Sequence, residues 1–175
     1  MENLEIKAYC ADLLKAENIA LSIGAEKKWR HEQSDTYFKV EKGKLKLRQV
    51  NGKPAELIFY ERPYIKESKI SHYSIYRTSN ADELSALLSN FLKTDLVIVK
   101  NRTLFLWYNV RIHLDRVNNL GTFIEFEAVM DNEENVSSSP DRIQFLLNTF
   151  SIKNNDLVSK GYYELLNEKL KTNRE

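Results

Sequence analysis

Four short stretches of this chain carry polar or charged residues at every second position. They are Asn3-Leu4-Glu5-Ile6-Lys7, Lys44-Leu45-Lys46-Leu47-Arg48, Arg111-Ile112-His113-Leu114-Asp115 and Glu125-Phe126-Glu127. Side chains alternate between the two faces of a strand, so each stretch has one polar, mostly charged face and one apolar face. An antiparallel sheet open to water on one side alternates in the same way. Here, however, charge is sorted, Lys44 to Arg48 being wholly basic and Glu125 to Glu127 wholly acidic. A sheet closed into a barrel with those faces inward would enclose a pore suited to a polyanion and its metal ions.

Other features narrow how such a pore could work. The five glycines, at 24, 43, 52, 121 and 161, do not cluster, and neither G-x-x-x-x-G-K-[ST] nor G-x-G-x-x-G occurs. No backbone nest is therefore expected to cradle phosphate, which leaves long cationic side chains to hold it. With 26 basic and 25 acidic residues the net charge is +1, so no global field draws in nucleic acid or anionic lipid. An anion site must come from local sorting of charge. The 175 residues fit one domain, expected over 1–175. Cys10 is the only cysteine and cannot form an intrachain disulfide. There is no apolar signal core, and the aliphatic run Leu96–Val99 is far too short to cross a bilayer. The expectation is a cytoplasmic protein without a nucleic-acid or membrane partner, in which the N-x-[ST] matches at Asn101 and Asn135 carry no meaning. Mean hydropathy of −0.49 is that of a globular chain.

Helical periodicity appears four times. Leu13, Ala16, Ala20 and Ile23 follow Asp12 and stop at Gly24. Asn80 with Glu83 reads as a capping box before Leu84, Leu87, Leu88 and Phe91. Ser139-Pro140 reads as a cap with proline at the first helical position, leading into Ile143, Leu146, Leu147 and Phe150. Tyr162, Leu166 and Leu170 follow Gly161. Strand-like segments lie near 3–9, 33–40, 44–50, 56–62, 70–77, 96–101, 104–115 and 122–130, with turns at Asn51-Gly52 and Asn118-Gly121. The expected fold is α+β: an antiparallel barrel with amphipathic helices packed outside.

Taken alone, Lys44, beside the Gly43 turn, reads as solvent-exposed. His31, His72 and His113 read as structural, although His113 shares the face of Arg111 and Asp115. Cys10 reads as a small buried residue. The tyrosines and phenylalanines read as packing, with Trp107 and Tyr108 as candidates for a tunnel mouth.

The order of the segments adds a resemblance. Asn3 to Ala8, Gln33-x-Asp35-Thr36-Tyr37-Phe38, Gly43 to Arg48, Glu56 to Pro63, and Arg111 to Asp115 running on through Leu120-Gly121-x-Phe123-x-Glu125-x-Glu127 occur together in the CYTH superfamily. The chain resembles its class IV adenylate cyclase-like branch, from residue 3 to the Gly161–Leu166 tail. The resemblance implies a triphosphate tunnel, an eight-stranded antiparallel barrel whose lumen holds a triphosphate with Mg2+ or Mn2+. It implies phosphate ligands at Lys7, Lys46, Arg48, Lys100, Arg102 and Arg111, and metal ligands at Glu5, Asp115, Glu125 and Glu127. Among these, Glu5, Lys7, Arg48 and Arg111 are the expected catalytic groups. Two positions depart from the family pattern. Asn3 stands where the Glu-x-Glu-x-Lys signature has its first acid. Glu61-Arg62-Pro63 lacks the usual lysine before Gly-Pro, and Arg62 is the expected substitute.

Residue types and resemblance together point to a small-molecule triphosphate substrate and a monomer or homodimer. Phosphoryl transfer asks mainly for positioning and charge neutralisation, which Arg, Lys and a divalent cation supply. A metal-dependent hydrolase acting on inorganic, nucleoside or thiamine triphosphate ranks first. A class IV adenylate cyclase forming cyclic AMP and pyrophosphate is the alternative, and a binding protein without turnover is the third.

Overall fold

The computed structural model describes residues 2–61 and 72–172. Its strands are β1 (Glu2–Tyr9), β2 (Glu26–Phe38), β3 (Lys44–Val50), β4 (Ala55–Glu61), β5 (His72–Thr78), β6 (Thr94–Trp107), β7 (Val110–Val117) and β8 (Gly121–Met130). Its helices are α1 (Leu13–Ser22), α2 (Ala81–Phe91), α3 (Glu133–Thr149) and α4 (Tyr162–Thr172). The chain forms two compact units, one of residues 1–30 with 101–175 and one of residues 31–100. The α+β class is as expected.

In the first unit, β8 runs antiparallel between β1 and β7. Its register shows why the alternating sequences fold as they do. Leu4, Ala128 and Val110 stand in one row, Ile6, Phe126 and Ile112 in the next, and Ala8, Ile124 and Leu114 in a third. These apolar rows form the core with Ala16 and Ala20 of α1 and Ile143 and Leu146 of α3. Each large side chain buried there is worth about 1.5–3 kcal/mol. The rows between them fall on the other face: Glu5, Glu127 and Arg111, then Lys7, Glu125 and His113. A slip of β8 by one residue would send Ala128, Phe126 and Ile124 to the polar face, so the pattern itself fixes the register.

The second unit repeats the logic with β2, β3, β4 and β5 paired antiparallel in sequence order. Phe38, Leu47 and Ala55 are buried against Leu84 and Leu88 of α2. Lys46 and Arg48 of β3 stand opposite Tyr37 and Asp35 of β2, on the other face. The full strand order is β1-β8-β7-β6-β2-β3-β4-β5, with β2 and β6 each running from one unit into the other. β1 and β5 end that order, so among the described residues hydrogen bonds do not close the sheet into the expected ring.

Three element boundaries differ from the sequence expectation. β6 continues through Asn101-Arg102-Thr103, where a break was expected, and the turn falls at Tyr108-Asn109. A strand with one charged face shows polar residues in its interior, and Tyr108 adopts φ 50° without the glycine that normally marks such a turn. β2 begins at Glu26, ahead of the expected 33, because Glu26–Glu32 is mostly exposed and lacks an apolar face. α3 begins at Glu133, with Asn132 Oδ1 accepting from the Asn135 amide at 2.8 Å. Pro140 therefore lies inside the helix and not at its start. The hydroxyls of Ser137 and Ser138 donate to the Glu134 carbonyl and that of Ser139 to the Asn135 carbonyl. α1 and α4 begin where expected, Asp12 Oδ1 capping α1 at the Lys15 amide. Asn80 precedes α2 as expected and donates from Nδ2 to Glu83 Oε2, but its side chain accepts no capping bond. Among the described residues, no helix is long and apolar enough to cross a membrane.

Gly43 offers a test of the β3–β4 register. Its φ is +68°, and a Cβ there would meet the Tyr60 carbonyl oxygen at 2.8 Å, whereas at Gly52, φ +74°, a Cβ would meet nothing. Both alanine substitutions pay for the left-handed conformation, about 1–2 kcal/mol. Gly43→Ala should cost clearly more than Gly52→Ala, measured as the shift in urea midpoint at constant m.

Candidate functional site

The polar face of β1, β8 and β7, extended by Arg102 of β6 and Tyr162 of α4, carries a connected set of charges. Arg102 lies at its centre. Its Nε donates to Asp115 Oδ1 at 2.7 Å, and its Nη2 to Asp115 Oδ2 at 2.6 Å and Glu125 Oε1 at 3.2 Å. Lys7 Nζ stands 3.1 Å from Glu125 Oε2 and 3.5 Å from Glu5. The Tyr162 hydroxyl donates to Asp115 Oδ2 at 2.8 Å, and Lys7 lies over the Tyr162 ring at 4.6 Å. One row along, Glu127 receives Asn3 Nδ2 at 2.6 Å and Arg111 Nη1 at 3.3 Å.

Burial sets the protonation states. Desolvation alone would raise the Glu125 pKa, but Arg102, the His113 hydrogen bond and Lys7 outweigh it and hold the carboxyl well below its usual 4.5. His113 moves down, first through burial and then through repulsion by Arg102. A neutral imidazole beside an ionised carboxylate donates from Nδ1, so His113 gives its proton to the bond with Glu125 Oε1 at 2.9 Å. Its partner nitrogen Nε2 is left as an acceptor.

The second unit gathers its cations around Asp35. Lys46 Nζ donates to Asp35 Oδ2 at 2.8 Å, and Arg48 grips both carboxylate oxygens through Nε at 2.9 Å and Nη2 at 3.1 Å. Gln33 Nε2 adds a bond at 3.0 Å. Burial works to raise the Asp35 pKa, yet Lys46, Arg48 and the more distant Lys100 drive it well below its usual value. Lys46 and Lys100 are themselves buried.

Lys7, Arg102, Arg111, Glu5, Asp115, Glu125 and Glu127 are thus brought together on the first unit, and Lys46, Arg48 and Lys100 on the second. Arg62 lies outside the described residues. Sequence reasoning did not assign Asp35 or Tyr162 a place in the site. Asp35 stood inside the quoted Gln33–Phe38 motif and on the parity opposite Arg48, which was the available signal. Tyr162 reaches the sheet from a distant helix, and no local pattern announces that.

The four expected metal ligands are not equivalent. Asp115 is fully buried, with both oxygens bound to Arg102, and Glu125 is held by three cationic or imidazole groups. Glu5 and Glu127 stand opposite each other and are more open, with 39% and 18% of their side chains exposed. Beside them Asn3 Oδ1 is buried without a hydrogen-bond partner. Among the described residues no three His, Cys, Asp or Glu side chains form a metal-holding group. Two carboxylates with an orphaned amide oxygen are nevertheless hard donors of the kind Mg2+ and Mn2+ take. The residues fit a divalent cation on that basis.

Comparison with known proteins adds context. The CYTH domain family profile matches residues 1–162. A search of curated proteins finds no match. Among solved structures, the PH1012 protein of Pyrococcus horikoshii OT3 superposes with a TM-score of 0.80 at 22% identity, covering 94% of this chain and 99% of that one. A protein of Vibrio parahaemolyticus, provisionally assigned as an adenylate cyclase, gives 0.77 at 19% identity over 94% and 97%. HpAC1 of Hippeastrum, a candidate adenylyl cyclase with a dominant triphosphatase activity, gives 0.66 at 15% identity over 97% and 96%.

Two outcomes follow from this geometry. Arg102→Leu leaves Asp115 and Glu125 buried against lost charge and should destabilise the fold by about 3–5 kcal/mol in a denaturant titration. Because the folded pKa of Glu125 is depressed, its contribution is complete above the unfolded value near 4.5 and is lost as pH falls through the lower folded value. Stability of Glu125→Gln should therefore decline less steeply than wild type as pH is lowered below about 4.5, the ordinary glutamate value.

Proposed function

The chain belongs to the CYTH domain family, and from that premise we propose that it is a divalent-metal-dependent hydrolase of a triphosphate substrate. The observation that carries the proposal is how the basic side chains are used. Arg48 and Arg102 each present a two-pronged guanidinium to a buried carboxylate, and Lys46 and Lys7 add point charge beside them. The same donors suit phosphoryl oxygens, where arginine binds bidentately and lysine neutralises. The closed triphosphate tunnel, with residues 1–175 as one domain of that type, belongs to this reading.

In this reading Lys46, Arg48 and Lys100, with Lys7, Arg102 and Arg111, exchange carboxylate partners for the phosphate chain. Arg62 is assigned to the same task. Glu5 and Glu127 with the Asn3 carbonyl oxygen would hold Mg2+ or Mn2+, with Glu125 and Asp115 as the further assigned ligands, which also keep Lys7 and Arg102 oriented. Bound there, the ion would supply positive charge to the phosphate chain and activate water for attack. Arg48, Arg111 and Lys7 stabilise charge that develops on the phosphoryl group, and Glu5 positions the attacking water.

Incubation with tripolyphosphate, ATP or thiamine triphosphate plus Mg2+ or Mn2+ should release orthophosphate. Cyclic nucleotide with pyrophosphate would instead identify a cyclase, and absence of any product with bound ligand a binding protein. Asn3→Glu, which adds a charge to the ligand set, should lower the Mn2+ concentration needed for half-maximal binding, read by the ion's magnetic resonance as well as by activity. Unchanged or weaker metal binding would remove Asn3 from the ligand set.

A further inference from the structure

A cavity of about 490 Å³ lies where the β6–β7 turn meets the start of α3. Arg111, Tyr108, Asn109, Asp131, Asn135 and Arg142 are among the residues that line it. We infer that it is a subsite for a neutral nucleobase, placed to receive the organic end of a nucleoside triphosphate. The inference rests on the triphosphate reading and deepens it by naming the substrate class.

Four features of the cavity support it. First, Arg111 lines the cavity and also pairs with Glu127 on the charged face, so the two regions share a residue. Second, Tyr108 is 75% exposed although it is aromatic and sits at φ 50°. A bulky side chain in that conformation is strained, and here the strain presents a ring to solvent. The ring is held from two sides, edge-on to Trp107 at 4.8 Å and beneath the Arg142 guanidinium at 4.8 Å.

Third, Arg142 is mostly buried, at 18% side-chain exposure, yet is fixed by amide oxygens and not by a carboxylate. Its Nη1 donates to Asn109 Oδ1 and Asn135 Oδ1, while the Glu134 carboxylate stays 3.9 Å from Nη2 and is 84% exposed. Among the described residues, Arg142 Nε and Nη2 make no hydrogen bond. An oriented guanidinium with spare donors beside an aromatic ring matches the ring-nitrogen and carbonyl acceptors of a base, which arginine reads bidentately. Asp131 and Glu134 also line the cavity and balance Arg111 and Arg142, so the lining suits a ring without net charge. Fourth, the scale is right: a volume of about 490 Å³ falls within the range of about 300–1,000 Å³ usual for small-molecule sites.

The test compares two ligands that differ only in having the nucleoside. Binding of the imido analogue of ATP and of tripolyphosphate is measured by calorimetry in Mg2+ for wild type, Tyr108→Phe and Tyr108→Gly. Glycine accepts the positive φ, so the substitution removes the ring without adding backbone strain, and a thermal melt checks that the variant is folded. The expected result is a fall of about tenfold to a hundredfold in the ratio of nucleotide to tripolyphosphate affinity for Tyr108→Gly, as loss of one stacking platform predicts. Tyr108→Phe keeps the ratio. Wild type that binds tripolyphosphate, with a ratio unmoved in Tyr108→Gly, overturns the subsite alone. Wild type that binds neither ligand overturns the triphosphate reading and the subsite with it.

Discussion

The first unit depends on one side chain, the guanidinium of Arg102. It takes both oxygens of the fully buried Asp115 and reaches Glu125 from the same nitrogen fork. It is the largest favourable charge acting on Glu125 and the partner of both Asp115 oxygens, so its loss would leave the two carboxylates poorly compensated at that depth. Three further groups are added to this triad, while Glu127 with Asn3 and Arg111 forms a separate row. Lys7 and His113 approach Glu125 from the neighbouring strands, and Tyr162 closes over Asp115. A buried charge set of this kind contributes little net stability compared with apolar packing of the same volume. What it does is hold long basic side chains in fixed directions, and a phosphate site needs such fixed directions.

The second unit solves the same problem with a different centre. There the carboxylate is the hub and the cations radiate from it, Lys46 and Arg48 both converging on Asp35. An anionic ligand offers those cations an equivalent partner, so exchange requires little rearrangement of the donors.

Much of this was legible before any coordinates, for a specific reason. The alternation in β1, β3, β7 and β8 encodes face and register at once, because period two admits one buried set. The charged face of Glu5, Lys7, Arg111, Asp115, Glu125 and Glu127 on the first unit, and that of Lys46 and Arg48 on the second, could be read from parity and resemblance. What could not be read had no local signature. The β6–β7 turn carries tyrosine where glycine or asparagine is usual at positive φ, so the strands were divided six residues too early. The start of α3 lies in Glu133–Ser139, a stretch without an apolar stripe, and Ser139-Pro140 imitates a helix start. Tyr162 enters its charge network through tertiary contact alone, whereas Asp35 was signalled by its parity opposite Arg48.

Pro140 has a kinetic corollary. Having no amide hydrogen, it leaves the Val136 carbonyl without its helical partner, and it divides α3 into dissimilar halves. The later half is anchored by Ile143 and Leu146 in the core, whereas Glu133, Glu134, Asn135 and Val136 are exposed or half-exposed. Glu134 and Asn135 belong to a cavity wall that is consequently built on helix of low local stability. Fraying of those first turns costs few buried contacts, so that wall is expected to exchange on the timescale of helix–coil relaxation and not with unfolding of the sheet behind it.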